Sequence, residues 1–362
     1  SHFLTLELLK IITHGYLIYS MLDIYTVGST RLAKIITGSE MRELLSPFDF
    51  SDTVIVKPNF VDRAPGTYTS PESLRLLFEA LDSQIVVAEG HGLIRVLCDQ
   101  DKGLCFDYNG EERDWSWIPR GGWSHFAKKD DWDWFSGGEH WGHLKELDNK
   151  YLDEKGFTDL FKEFDAEYIN VTDEIWEGNV IDPDLIKKEV EEQYGQLFTE
   201  KFYGFIPVRL FEHRGSTLIS FNKFKHYTTF TLKNMFGFIP DPIRCWWHGP
   251  KNSRMVNSII DINKLYATFF NVLGVQESLG LTPRSNKEGS FGDASLSYDL
   301  VEGSKLVCAG MDLIEVDTLM AGVGSFGLVE LEYLDKANGV LGRYRPELVE
   351  QVKNLSPYPS LS

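Results

Sequence analysis

Cysteine is scarce, with four residues in a chain of 362, at positions 98, 105, 245 and 308. No two form a Cys-x-x-Cys pair, which excludes a zinc ribbon or a ferredoxin-type cluster read from spacing. So few thiols do not build a secreted disulfide framework, and a reducing, cytoplasmic setting is the simpler expectation. No Walker loop is present, and the Gly-x-Gly-x-x-Gly spacing of Gly322, Gly324 and Gly327 follows the predicted helix 312–323 rather than a strand, which leaves the P-loop and dinucleotide readings without support. Long apolar runs are also missing. The nearest, HFLTLELLKIITHGYLIYSML at the start, is interrupted by Glu7, Lys10 and His14 and has neither a basic n-region nor an A-x-A site. It reads as an amphipathic or buried helix, and no membrane partner is expected. Positive charge is in deficit: 36 Lys and Arg against 54 Asp and Glu give a net −18. Such a surface repels phosphate backbones, so nucleic acid is not an expected partner.

The charge is unevenly divided. Residues 99–200 hold 27 acids and 11 bases, a net −16, whereas residues 201–255 hold nine bases and two acids, a net +7. A basic stretch inside an acidic protein either binds an anion or pairs with the acidic segment before it.

Regular structure is legible from residue 51 onward. TVIVKPNF (53–60) is a buried strand, Thr69-Ser70-Pro71-Glu72 caps a helix, and IVVAEG (85–90) is a second strand. This strand–helix–strand unit predicts a parallel α/β sheet, whose ligands sit at the carboxyl ends of the strands. Here those ends carry Lys57, Asn59, Glu89 and His91. A helix leading to a strand is predicted over 156–171, further helices at 182–198, 255–269 and 312–323, and strands at 217–224 and 305–311. The fold class is therefore α/β: a mostly parallel sheet flanked by helices. Residues 92–150 break the rhythm and contain six of the nine tryptophans, which predicts a large Trp-rich insertion. It acts either as a lid or as a mini-core of packed indoles. His140 and His143 inside it are a weak metal signal. The expected division is an N-terminal segment (1–50), an α/β domain (51–91 and 151–345), the insertion (92–150) and a tail (346–362).

The densest chemistry runs from Asn222 to Gly237. Lys223, Lys225 and His226 stand where a strand ends, Thr229 and Thr231 add hydroxyls, and Lys233-Asn234 open a short helix. Lysines in that setting hold a phosphate or carboxylate. A desolvated lysine among other cations also has a lowered pKa and serves as base or nucleophile. The plain alternative is a solvated basic loop.

These residues resemble the DUF362 family. Its pattern has a strand ending Lys-Pro-Asn, a Thr-x-Pro helix start, a strand ending Glu-Gly, and a central NxPKxKxHxxTxxTxxxKNxFG. It continues with Arg, a downstream His, a D-x-N-like helix and a late AGxDxxxxD strand. The matches are Lys57-Pro58-Asn59, Thr69 with Pro71, Glu89-Gly90, and centrally Asn222, Lys223, Lys225, His226, Thr229, Lys233, Asn234 and Gly237. Arg244, His248, Asp261, Ala309-Gly310, Asp312 and Asp317 complete them. The resemblance covers about 51–91 and 155–342. The family's proline before the central lysine is missing here, the Trp-rich insertion is outside its pattern, and the ferredoxin module fused to many relatives is absent from this sequence.

The expected site is a cationic pocket. Lys223, Lys225, His226 and Lys233 are its catalytic candidates. Lys57, Asn59, Glu89, Thr229, Thr231, Asn234, Arg244, His248, Asp261 and Asp312 are its candidates for binding substrate. Of Asp312 and Asp317, five apart at a strand–helix junction, one faces the pocket and the other caps the helix. Such a pocket suits proton transfer, elimination or related carbon-skeleton chemistry of specialised metabolism on a small anionic substrate, because cations stabilise a developing enolate. Lyase- or isomerase-type chemistry is favoured over oxidoreduction. The alternatives are a redox protein served by a separate ferredoxin-like iron–sulfur partner, in line with the fused relatives, and a non-catalytic anion- or partner-binding module. A metal site from Glu89, His91 and His226 is a minor variant. No cofactor is assigned, and homo-oligomerisation stays open.

Overall fold

The computed structural model describes residues 22–61, 65–92, 95, 128, 138–225, 230–241, 243–285, 298–324 and 332–355. Its strands are β1 (Tyr25–Val27), β2 (Thr30–Lys34), β3 (Thr53–Lys57), β4 (Gln84–Glu89), β5 (Glu167–Asn170), β6 (Thr217–Lys223), β7 (Asn271–Glu277), β8 (Leu281–Ser285), β9 (Tyr298–Glu302) and β10 (Leu306–Gly310). Eight of them form one sheet in the order β1-β2-β10-β7-β6-β3-β4-β5, and β8 pairs with β9 separately. The four pairings from β7 to β5 are parallel, while β10, β2 and β1 add on antiparallel. This is the mostly parallel α/β sheet expected from the strand–helix alternation.

The longer helices are α1 (Gly38–Leu45), α2 (Pro71–Ala80), α3 (Gly138–Glu154), α4 (Phe157–Glu163), α5 (Val171–Trp176), α6 (Pro183–Tyr194), α7 (Met255–Phe269), α8 (Leu313–Val323) and α9 (Glu332–Ala337). Local chemistry starts many of them. Ser70 accepts from Ser73 N with Pro71 behind it, Asp182 precedes Pro183 in the same way, and Thr37 with Glu40 forms a capping box. Alternate residues of the strands face opposite layers. Val54, Val56, Val87, Ile219 and Phe221 pack with α1, α2 and α4, whereas Ile55, Val86, Ala88 and Leu218 pack with α6, α7 and α8.

Strand order fixes where a site belongs. From β3 the chain steps to β4 and β5 on one side, then returns to β6 and β7 on the other. The carboxyl ends of β3 and β6 therefore flank a topological switch point, where the crevice of an open α/β sheet lies.

Three sequence boundaries move. Residues 25–45, set in a separate N-terminal segment, supply β1, β2 and α1, with β2 paired to β10 of the main sheet. Residues 138–150, counted with the insertion, are the first three turns of α3. The helix was hidden because its buried stripe, Leu144, Asp148, Tyr151 and Leu152, includes a carboxylate where the apolar pattern needs a hydrophobe. At the other end Leu348 and Val352 are buried, so 346–352 packs on the domain. Residues 96–127 and 129–137, which hold five of the tryptophans and the lid question, lie outside the described residues.

Candidate functional site

At the switch point, β3 ends in Lys57, whose ammonium lies 2.5 Å from Glu89 Oε2 at the end of β4. Both side chains are almost wholly buried, at 1% and 2% exposure. Burial draws the Lys57 pKa down to about 8 even against the opposing pull of Glu89. The pair is roofed by the turn of Gly237. A Cβ there would stand 2.5 Å from Lys57 Nζ and 2.6 Å from Glu89 Oε1, so the position requires glycine for close approach. Arg244 holds that turn by donating to the Gly237 and Ile239 carbonyls, each at 2.8 Å.

Asn234 joins the separate motifs. Its Oδ1 accepts from Asn59 Nδ2 at 2.9 Å and from Lys57 Nζ at 3.3 Å. Its Nδ2 donates to the Lys57 carbonyl and to Ser220 Oγ, both at 3.1 Å. Asn59 Oδ1 in turn accepts from Lys225 Nζ. The Lys-Pro-Asn strand end and the central motif are thus stitched together by a nearly saturated amide network, which fixes geometry and leaves little bonding capacity for a ligand.

The lysines do not form a single pocket. Asn222 and Gln276 face one side of the sheet, joined at 2.7 Å, while Lys223 and Glu277 leave the other side and pair at 3.2 Å. Burial lowers Lys223 and raises Glu277, and each opposes the other's shift. Lys223 also donates to the Leu279 carbonyl. Lys57, Lys223 and Lys225 are all within 2% of full burial.

Lys233 is different. It sits in the one-turn helix Thr231–Asn234, is only half-buried, and makes no hydrogen bond or ion pair among the described residues. Desolvation of its ammonium lowers its pKa to about 8. His248, at the end of the short helix Arg244–His248, is near enough for the Lys233 charge to act on it. Burial, then Lys233 and Arg244, hold the imidazole well below its ordinary pKa, so it is neutral at pH 7. Its ring packs edge-on against Phe236 at 4.7 Å, and Nδ1 lies 3.3 Å from Asn252 Oδ1.

Asp317 builds the platform under Lys233. From α8 it accepts Thr231 N at 2.8 Å, Thr231 Oγ1 at 2.5 Å and Leu232 N at 3.1 Å. Burial raises its pKa to about 7 against those bonds. Asn263 of α7 steadies the same turn by donating to the Leu232 carbonyl at 2.8 Å. Of the two aspartates five apart, Asp312 caps α8 by accepting from Glu315 N, and Asp317 is the one that reaches the central motif. Asp312, expected at the substrate, accepts from backbone N–H groups, and the Thr231 hydroxyl, also expected there, donates to Asp317. Asp261 also stands apart from the lysine pairs: it accepts from Thr199 N at 2.9 Å, and burial raises it to about 6. His226 and Thr229 lie outside the described residues.

A second network lies beside the first, and only His91 of it was anticipated. His91 Nδ1 is 2.9 Å from Asp148 and Nε2 is 2.8 Å from Asp173. Asn170 Nδ2, with its Oδ1 committed to capping α5, also faces Nδ1 at 3.1 Å. Burial alone would lower His91, but the two carboxylates raise it, and the imidazolium donates to both. Arg95 grips Asp148 with two nitrogens, at 2.7 and 2.6 Å, and holds its carboxyl down at about 2 against the desolvation that would raise it. Both His91 nitrogens are engaged and Glu89 is bound to Lys57, while His226, the third member of the trio considered for a metal, lies outside the described residues. Among the described residues no group of three His, Cys, Asp or Glu side chains is placed to hold a metal ion. A surface cleft of about 500 Å³ between α3 and α4, lined by Asn149, Thr158, Phe161 and Lys162 among others, includes none of the four lysines.

Residues 136–322, just over half of the chain, match the sequence model described as a domain of unknown function (DUF362). The chain belongs to the DUF362 family. No curated protein and no solved structure matches it. The family match takes in α3 and the central motif but not β3 and β4, so Lys57, Asn59 and Glu89 reach the family's motif through the fold. The match also starts at the doorstep of α3, in keeping with that helix being part of the domain. No helix among the described residues is long and apolar enough to cross a membrane.

The basic stretch divides residue by residue between its two readings. Arg209 pairs with Glu167 and Glu174 of the acidic segment, and Lys223 pairs with Glu277, while Lys233 has no such counterpart among the described residues.

Proposed function

We propose that this DUF362 protein is an enzyme acting on a small anionic organic molecule, with Lys233 as the group that meets it. The observation that carries the reading is the contrast among four lysines. Lys57 and Lys223 are answered by carboxylates, Lys225 by an amide oxygen, and Lys233 by nothing among the described residues. A half-buried ammonium without a counterion favours an incoming carboxylate or phosphate. An amine that titrates near 8 is mostly protonated at pH 7 and exchanges its proton within about a unit above it, the range suited to acid–base work. Neutral His248 is a proton carrier beside it, and Arg244, although paired with Asp241 at 3.5 Å, adds positive potential to the same corner. Proton transfer or elimination next to a carboxylate is the chemistry these groups serve best, in a cytoplasmic enzyme of specialised metabolism.

The test is protection of Lys233. The protein is acylated with a lysine reagent in the presence of small carboxylates or phosphate esters, and each lysine is quantified by peptide mass spectrometry. One of these classes protects Lys233 and leaves the exposed Lys162 unchanged. A Lys233 that no anion protects defeats the reading.

A further inference from the structure

We infer that the substrate carries a carbonyl group and that Lys233 condenses with it, so that this protein forms a covalent imine with an anionic aldehyde or ketone. The inference rests on the reading of Lys233 as the group that meets the substrate, and it adds the chemical class of that substrate and the bond that forms.

The geometry separates two tasks that the sequence left mixed. Lysines built to stay charged in a protein interior are given counterions, as Lys57 and Lys223 are. A lysine built to act as a nucleophile needs the reverse: partial burial, no carboxylate to stabilise the ammonium, and an open approach. Lys233 meets the first two conditions among the described residues, and it is the least buried of the four. Arg244, also half-buried and within electrostatic range of His248, is held by Asp241 at 3.5 Å and by the Gly237 and Ile239 carbonyls, and adds a second cation to this corner for the substrate's anionic group. Phe236, packed edge-on against His248, gives the imidazole an apolar neighbour. The amine's titration near 8 leaves a useful neutral fraction at physiological pH.

The step balances without an outside reagent. The neutral amine attacks the carbonyl carbon, a C–N bond forms, and the C=O π pair moves to oxygen. A proton passes from nitrogen to that oxygen, with neutral His248 as the nearby carrier. The hydroxyl then leaves as water once it has taken a second proton, and the nitrogen lone pair closes the C=N bond. Overall, ammonium plus carbonyl gives iminium plus water, with no net proton and no change of oxidation state. The iminium draws electrons from the neighbouring carbon. It therefore eases the same proton transfers and eliminations proposed above, and an unpaired amine suits that role better than a cluster of fixed cations does.

The 362-residue chain is incubated at pH 8 with pyruvate or glyoxylate, reduced with cyanoborohydride, and mapped by peptide mass spectrometry. At that pH an amine titrating near 8 is about half neutral, against roughly 0.3% for an ordinary lysine, a ratio on the order of 100. Lower basicity offsets part of this, so the expected preference for Lys233 over Lys162 and Lys353 is about tenfold or more. Lys233→Arg keeps the charge and loses the adduct. The wild-type peptide map identifies the reacting lysine directly, so the result stands even where a variant folds poorly. Equal labelling across surface lysines, or no adduct, overturns the imine. Malonate, an anion without a ketone, separates the two claims. Protection of Lys233 by malonate without trapping of pyruvate sinks the imine and leaves the acid–base reading standing. Neither protection nor trapping sinks both.

Discussion

Replacing Lys57 and Lys233 by methionine, one at a time, separates a structural lysine from a functional one. Lys57→Met removes one partner of a pair in which both side chains are at most 2% exposed. Glu89 is then left as a buried carboxylate without its cation, a change that costs about 3–5 kcal/mol. Near 60 °C the unfolding entropy is about 2.1 cal/mol/K per residue, or roughly 0.76 kcal/mol/K over 362 residues. The expected loss in melting temperature is therefore about 4–7 °C. Lys233→Met removes no ion pair among the described residues and exchanges a poorly solvated ammonium for an apolar group of similar length. Its change should stay within about 1 kcal/mol, or about 1 °C. Differential scanning calorimetry at pH 7 reads both. The double change Lys57→Met with Glu89→Leu should recover much of the first loss, because a buried pair is readily replaced by apolar side chains. A Lys233→Met variant as unstable as Lys57→Met would refute the distinction on which the functional reading stands.

Two further outcomes follow from the same geometry. Gly237→Ala places a methyl 2.5 Å from Lys57 Nζ and 2.6 Å from Glu89 Oε1, and its displacement of the pair should cost about 1–3 kcal/mol in a denaturant titration. Asp317, raised from 3.8 to about 7 by burial, binds its proton more tightly in the folded state. Its contribution therefore makes stability fall as pH rises from about 4 to 7 and levels off above that. Asp317→Asn, whose amide oxygen still accepts from Thr231, should flatten that part of the pH–stability curve. An unchanged slope would show that Asp317 does not titrate there.

Much of the scaffold was legible because its signals are local. Ser70 with Pro71 marked α2, the period of 255–269 marked α7, and short β-branched runs marked β3, β4 and β6. What escaped was set by partners distant in sequence. Asp148 looks like a solvated charge until Arg95 and His91 close on it, and with that reading α3 loses its apolar stripe. The strand β7, NVLGVQE, carries the same β-branched signal as its neighbours, and its terminal Gln276-Glu277 decides the fate of Asn222 and Lys223. The lysines of the cationic cluster do not converge among the described residues, because alternation along β6 sends adjacent residues to opposite faces and buried carboxylates neutralise two of them. The choice between Asp312 and Asp317 depended on which end of α8 meets the turn of Lys233, and spacing alone does not contain that.

The claim that Lys233 is the functional amine is tested most directly by its own titration. Pulse labelling of all lysines with an acylating reagent across pH 6–11, followed by peptide mass spectrometry, gives each amine's pKa in the intact protein. Lys233 is expected to titrate near 8, against an ordinary value of 10.5, with its reactivity lost on addition of the anion that protects it. A Lys233 that titrates with the surface lysines above pH 10 would contradict the account.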